Sequence, residues 1–208
     1  MIPVKPSKII CVGRNYVAHA QELGNAVPPQ PMIFLKPPSA LLASGEAIIL
    51  PTQSEQVEYE GEIGVVPLER LRNVSVAGAE KARMGFVCVN DVTARDLQKT
   101  DGQWTRAKGF DTFCPMGPVV KPVDAGFNFS ALEVVCRVNG VERQRGRAAD
   151  MVFGIPVLLA FISRVMTLEP GDLVATGTPA GIGPLVDGDV VEVEIPGVGV
   201  LRNPVRIA

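Results

Sequence analysis

Val57-Glu58-Tyr59-Glu60-Gly61-Glu62-Ile63-Gly64-Val65-Val66 places a glutamate at every second position and then turns wholly apolar. Read as one strand over Val57–Val66, it projects Glu58, Glu60 and Glu62 from a single face, because side chains alternate along a strand. Carboxylates gathered on one face repel one another and require either full solvation or a compensating cation. The apolar half of the stretch enters a core, so the strand runs from a polar site into the interior. Taken alone, the glutamates read as a solvated edge whose charges guard against aggregation.

Working outward, the chain alternates short apolar runs with turn signals. Lys8–Val12, Met32–Leu35, Ala47–Leu50, Gly85–Val89, Leu132–Val138 and Leu173–Ala175 read as strands. Val190–Ile195 and Val198–Arg206 form a hairpin across Pro196-Gly197, and Asn139-Gly140 marks another hairpin turn. Helices are predicted over Tyr16–Leu23, capped by Asn15, over Val76–Arg83, and over Met151–Leu168, capped by Asp150. Arg95–Pro118 is irregular and polar yet carries Trp104, Phe110 and Phe113, which marks a functional loop rather than disorder. The 18 prolines, against a usual share of about 5%, and 21 glycines suit many strands joined by turns. The fold class expected is α+β and β-dominated, with residues 1–208 as one domain.

Composition narrows the chemistry. A formal charge of −2 without a basic run points away from nucleic acid and anionic membranes. Met1-Ile2-Pro3-Val4-Lys5 lacks the pattern of a secretory signal, and the apolar stretch around Val152–Phe161 is too short to cross a bilayer, so a cytoplasmic location is expected. Cys11, Cys88, Cys114 and Cys136 are scattered, and Cys11, Cys88 and Cys136 sit in apolar runs as buried free thiols. His19 is the sole histidine, so a metal site here leans on oxygen ligands and selects hard cations such as Mg²⁺ or Mn²⁺. Asp91, at the end of the apolar run Gly85–Val89, faces a cleft on this reading. With two of the glutamates it offers three oxygen ligands from separate strands.

These residues carry a family resemblance. The Val57–Val66 stretch, Asn90-Asp91-Val92-Thr93-Ala94-Arg95-Asp96-Leu97-Gln98, and Trp104-Thr105-Arg106-Ala107-Lys108 with Asp111-Thr112-Phe113-Cys114-Pro115 resemble motifs of the fumarylacetoacetate hydrolase family. Gly13-Arg14-Asn15-Tyr16, leading to His19 and Glu22, resembles its lid segment, placed at residues 14–30. Thr176-Gly177-Thr178-Pro179-Ala180-Gly181-Ile182-Gly183 resembles its substrate loop. The resemblance implies a mixed β-sheet roll, a homodimer, and Mg²⁺ or Mn²⁺ held by Glu60, Glu62 and Asp91, with Glu58 outside the ligand set.

The chemistry expected from such a metal is Lewis-acid stabilisation of a pyruvate enolate. The leading expectation is hydrolysis of the C–C bond of a 3-acylpyruvate-type 2,4-dioxo acid. The alternatives are decarboxylation of oxaloacetate and isomerisation or decarboxylation of a 2-hydroxyhepta-2,4-diene-1,7-dioate. A rival of another class is a non-catalytic, metal-dependent protein that binds a small acid. His19 is the expected base, oriented by Glu22 one helical turn away. Lys108 is expected to stabilise an oxyanion. Arg95 and Gln98 are expected to bind the distal part of the 2-oxo acid substrate, with a salt-bridged Arg95 as the other reading. The Thr178 hydroxyl is expected on the substrate carboxylate, and the Gly13-Arg14 pair also reads as a plain strand-ending turn.

Overall fold

A computed structural model describes residues 5–123 and 127–208. Met1–Val4, most of the segment read against a secretory signal, lie outside the described residues. The central element is a seven-stranded mixed sheet in the order Met32–Lys36, Ile9–Gly13, Leu173–Ala175, Gly61–Pro67, Met84–Asn90, Cys114–Val123 and Leu41–Ala43. Ile9–Gly13 pairs in parallel with Leu173–Ala175, as does Leu41–Ala43 with Cys114–Val123; the other neighbours are antiparallel. A five-stranded sheet runs Val141–Arg147, Glu133–Val138, Val190–Ile195, Gly199–Ile207 and Ile48–Leu50. Three short strands, Gly183–Pro184, Val57–Tyr59 and Thr93–Ala94, make a third sheet. The β-dominated, mixed-sheet α+β class expected from the sequence is the one observed.

The apolar runs of the central strands show little alternation because both faces of the large sheet are covered. Ile9, Cys11, Val66, Val87, Val89 and Leu173 pack on one side, whereas Ile10, Ile63, Val65, Phe86, Cys88 and Val174 pack on the other. The second side is shared with Ile155, Leu159 and Ile162 of the helix Ile155–Val165, which packs against the helix Val76–Lys81. Burying each of these large apolar side chains contributes about 1.5–3 kcal/mol. Among the described residues, no helix is long and apolar enough to cross a membrane.

Four local expectations are corrected. Val57–Val66 is not one strand: it breaks at Glu60, with Val57–Tyr59 in the small sheet and Gly61–Pro67 in the large one. The stretch between Arg95 and Pro118 is not irregular; it holds helices Arg95–Thr100 and Thr105–Gly109 and the start of the strand Cys114–Val123. Asp150 does not cap the long helix, which begins at Ile155 after Gly154, with Pro156 tolerated in its first turn. Nor does Asn15 cap the helix Val17–Glu22. Its amide instead donates to the carbonyls of Phe153 and Thr176 and accepts the Phe153 N–H, so a buried tertiary bracket replaces the local cap.

Candidate active site

The break at Glu60 builds the site. Glu60 N–H donates to Asn90 Oδ1 and the Asp91 N–H donates to the Glu60 carbonyl, each at 2.9 Å. The joint between two sheets is thereby tied to the end of the strand Met84–Asn90. Carboxylate oxygens of Glu60, Glu62 and Asp91 lie within 4.8 Å of one another, and all three residues are buried. Glu58 turns elsewhere, accepting from Arg95 Nε at 2.8 Å and from Gln56 Nε2 at 2.6 Å.

Cations are interleaved with these acids. Lys108 Nζ donates to Glu60 Oε2 and Asp91 Oδ2, both at 2.8 Å, and sits 5.0 Å from the centre of the Phe34 ring. Lys36 Nζ reaches Asp91 Oδ1 at 2.5 Å and the Val92 carbonyl at 3.0 Å. Arg95 commits three of its five N–H groups to protein acceptors: Nε to Glu58, Nη2 to Glu60 Oε1 at 2.5 Å, and Nη1 to Gln98 Oε1 at 2.5 Å. Burial alone would raise the Glu60 carboxyl, but the Lys108 ammonium and the Arg95 guanidinium outweigh it and hold Glu60 well below the usual carboxylate range. Burial works against the Lys108 ammonium too, yet Asp91 and Glu60 keep it charged and above the ordinary lysine range.

Glu62 is the exception. Its Oε2 accepts the Gly177 N–H at 2.8 Å, and among the described residues it has no cationic partner. Burial, followed by Asp91 and Glu60, pushes its carboxyl well above the usual range. Four buried carboxylates, counting Glu58, therefore face three cationic side chains. A divalent cation fits this donor set: the oxygens are hard, they converge, those already bonded keep a second lone pair, and one negative charge is left over. Glu60, Glu62 and Asp91 can hold it.

The triad opens into a cleft of about 290 Å³, also lined by Val12, Arg14, His19, Phe34, Trp104 and Lys108. Arg95, Gln98 and Thr178 line it as well, so every residue singled out from the sequence except Glu22 borders one cavity. Glu22 sits behind His19, with Oε2 3.2 Å from His19 Nδ1, while its Oε1 accepts the Gly181 N–H at 3.0 Å. Two expected contacts are narrowed by geometry. Arg95 adopts the salt-bridged alternative. The Thr178 hydroxyl donates its only proton to the Gly61 carbonyl at 2.9 Å and accepts from Gln144 Nε2 at 2.7 Å, so it has none left for a substrate carboxylate.

Sequence reasoning missed Lys36 and Gln144. Lys36 ends an apolar strand just before Pro37-Pro38, and a lysine in that position was the available signal. Gln144 lies in the charged strand Val141–Arg147, where Gln144 and Gly146 are buried between exposed arginines. Its Oε1 accepts the Gly61 N–H, and its Nε2 donates to Thr178 and to the Pro179 carbonyl, joining the acidic strand to the glycine loop. The four thiols are buried; desolvation pushes Cys88, Cys114 and Cys136 up to about 12 and Cys11 well above its ordinary value.

Buried acids and bases converging on one small cleft are the arrangement of an enzyme, since so many desolvated charges are costly to keep for packing alone. The chain belongs to the fumarylacetoacetate hydrolase family, whose C-terminal domain model matches residues 8–206. It is 42% identical over 212 residues to oxaloacetate tautomerase YisK of Bacillus subtilis, covering 97% of this chain and 70% of that protein. It is 40% identical over 195 residues to the mitochondrial oxaloacetate decarboxylase of Dictyostelium discoideum, covering 91% and 89% respectively. Among solved structures, 2-hydroxyhepta-2,4-diene-1,7-dioate isomerase from Mycobacterium marinum superposes with a TM-score of 0.88 at 44% identity, covering 99% of this chain and 77% of that one.

Proposed function

We propose that this enzyme moves a proton between the keto and enol forms of a short 2-oxo dicarboxylate of the oxaloacetate type, with decarboxylation of the same substrate as a second outcome. Hydrolysis of an acylpyruvate, the leading expectation from the sequence, gives way to its alternative of oxaloacetate decarboxylation, widened here to tautomerisation, because relatives named for oxaloacetate chemistry match nearly the whole chain. The observation that carries the reading is His19, backed by Glu22, bordering the same cleft as the three converging carboxylates.

Mg²⁺ or Mn²⁺ held by Glu60, Glu62 and Asp91 would supply Lewis-acid stabilisation of negative charge on the 2-oxo oxygen. The protein's own groups do the rest. An ionised Glu22 can only accept, so the proton on His19 rests at Nδ1 and Nε2 keeps its lone pair. Nε2 takes a proton from C3 of the keto form, and the electron pair of the C–H bond passes to the carbonyl as an enolate. Returning the proton to oxygen gives the enol; returning it to carbon regenerates the keto form. If the C3–C4 bond breaks instead, C4 leaves as carbon dioxide, the electron pair of that bond passes to the carbonyl as the enolate of pyruvate, and this enolate collects its proton at C3. Lys108, fixed by Glu60 and Asp91, places a positive charge beside the cleft for the developing oxyanion.

The test is a side-by-side assay of Mg²⁺-loaded enzyme. Loss of enol-oxaloacetate absorbance, pyruvate release from oxaloacetate and cleavage of acetylpyruvate are measured separately. The expected order puts oxaloacetate tautomerisation first in kcat/KM. Faster cleavage of acetylpyruvate than conversion of oxaloacetate would overturn the proposal.

A further inference from the structure

Arg95, the guanidinium expected at the distal end of a substrate, has its charge paired with Glu58 and Glu60 and three of its five N–H groups committed to Glu58, Glu60 and Gln98. Four cationic side chains line the cleft: Arg14, Arg95, Lys99 and Lys108. Arg95 and Lys108 are tied to carboxylates, and Lys99 is exposed on the outer helix Arg95–Thr100. Arg14 is partly buried, and among the described residues it makes neither an ion pair nor a side-chain hydrogen bond.

Its backbone is unusual as well. Arg14 has φ 57°, a left-handed conformation that a long side chain adopts only when its surroundings impose it. The surroundings do so from both sides. Asn15 is locked by its three bonds to Phe153 and Thr176, and a Cβ on Gly177 would come within 2.7 Å of Asn15 Cβ, so the loops are in close register. On the other side, a Cβ on Gly13 would meet Met32 at 2.6 Å and the Trp104 ring at 3.1 Å. A plain strand-ending turn would place glycine or asparagine at the left-handed position. Here the position carries an arginine that lines the cleft and pairs with no carboxylate among the described residues.

We infer that Arg14 binds the second carboxylate of the substrate and so selects 2-oxo dicarboxylates over 2-oxo monocarboxylates. The inference rests on the reading of the cleft as a 2-oxo acid site. The guanidinium fork matches a carboxylate with two parallel N–H donors, and the rigid turn reduces the freedom lost when it does so. Gln98, whose Oε1 is held by Arg95, lines the same cleft as Arg14.

The experiment uses the Mg²⁺-loaded full chain and two unreactive probes, measured by calorimetry. Oxalate carries only the metal-chelating head; N-oxalylglycine carries that head and a carboxylate beyond it. Arg14→Asn removes the charge while retaining a residue that tolerates the left-handed conformation, and Arg14→Lys keeps the charge without the fork. Arg14→Asn is expected to weaken N-oxalylglycine by about 10-fold or more, the effect of losing a charge-assisted pair, and to leave oxalate unchanged. Arg14→Lys is expected to fall between. Equal weakening of both probes by Arg14→Asn, or no weakening of either, overturns the assignment of Arg14 alone. Failure of the unaltered protein to bind oxalate with Mg²⁺ would instead sink the 2-oxo acid reading, and this inference with it.

Discussion

Lys36 Nζ lies 2.5 Å from Asp91 Oδ1, and neither side chain is more than 1% exposed. Asp91 is itself one of the three converging carboxylates, so one residue of the acidic group is anchored by a cation that never reaches solvent. Removing one partner of a buried pair costs up to about 3–5 kcal/mol, and here Asp91 keeps its other ammonium, Lys108 at 2.8 Å, which sets the loss at the lower end. Lys36→Met is therefore expected to lower the unfolding free energy of chelator-treated protein by an amount of that order. Saturating Mg²⁺ should recover part of the loss, because the ion would replace the missing positive charge. Urea denaturation with and without Mg²⁺ checks both halves.

His19 and Glu22 give a prediction on turnover. His19→Ala is expected to reduce kcat for oxaloacetate tautomerisation by about 10²-fold, the usual worth of a positioned base. Mg²⁺ affinity, measured by calorimetry, should stay unchanged, since His19 is outside the carboxylate group. Glu22→Gln keeps an acceptor for the Gly181 N–H but presents a less basic partner to the imidazole, so its loss should be smaller. A His19→Ala enzyme with full activity would remove the base from the mechanism.

Gln144 makes three hydrogen bonds from a fully enclosed position. Gln144→Leu leaves the Gly61 N–H and the Pro179 carbonyl unpaired, and each such group costs about 1–3 kcal/mol. The expected outcome is a loss of stability in urea together with weaker oxalate binding, because the glycine loop is no longer pinned to the acidic strand. Gln144→Glu preserves the acceptor for Gly61 and should restore only part of the stability.

Acid stability should depend on Asp172. It accepts hydrogen bonds from the backbone of Ser7, Lys8 and Glu169 and from the Ser7 hydroxyl, and pairs with the Lys8 ammonium. Burial works to raise this carboxyl, but Lys8, Ser7 and the Glu169 N–H together hold it below its ordinary value. A folded pKa below the unfolded one means that the stabilisation is complete above the unfolded pKa of about 3.9 and is lost as pH falls through the folded value. Asp172→Asn should therefore flatten the low-pH limb of a stability-against-pH curve while lowering stability at neutral pH. An unchanged acid limb would argue that other carboxylates dominate it.

Much of this was legible in the sequence, and the residues show why the rest was not. Asp91 could be grouped with two of the three glutamates because carboxylates beside apolar strands are rare enough to need an explanation, and the family resemblance named the two as Glu60 and Glu62. The same alternation misplaced Glu58, since a period of two holds only while the strand continues, and nothing in Tyr59-Glu60-Gly61 announces a change of sheet. Helices Arg95–Thr100 and Thr105–Gly109 escaped because each spans barely more than a turn, too short for a 3.6-residue periodicity to show. Asn15 was misread as a cap because its partners, Phe153 and Thr176, lie more than a hundred residues away. Both readings of Arg95, on the substrate and salt-bridged, stayed open for the same reason: its acidic partners are distant in sequence.

The junction at Glu60 also bears on how such a protein can diversify. Glu60 is fastened to the interior by its N–H on the Asn90 side chain and its carbonyl on the Asp91 N–H, whereas Arg14, His19, Gln98 and Trp104 hang from short helices and turns around the rim. Exchanges at the rim can retailor which molecule is admitted while the electrostatic heart keeps its shape. An exchange at the junction disturbs two sheets at once, so new specificities should accumulate at the periphery.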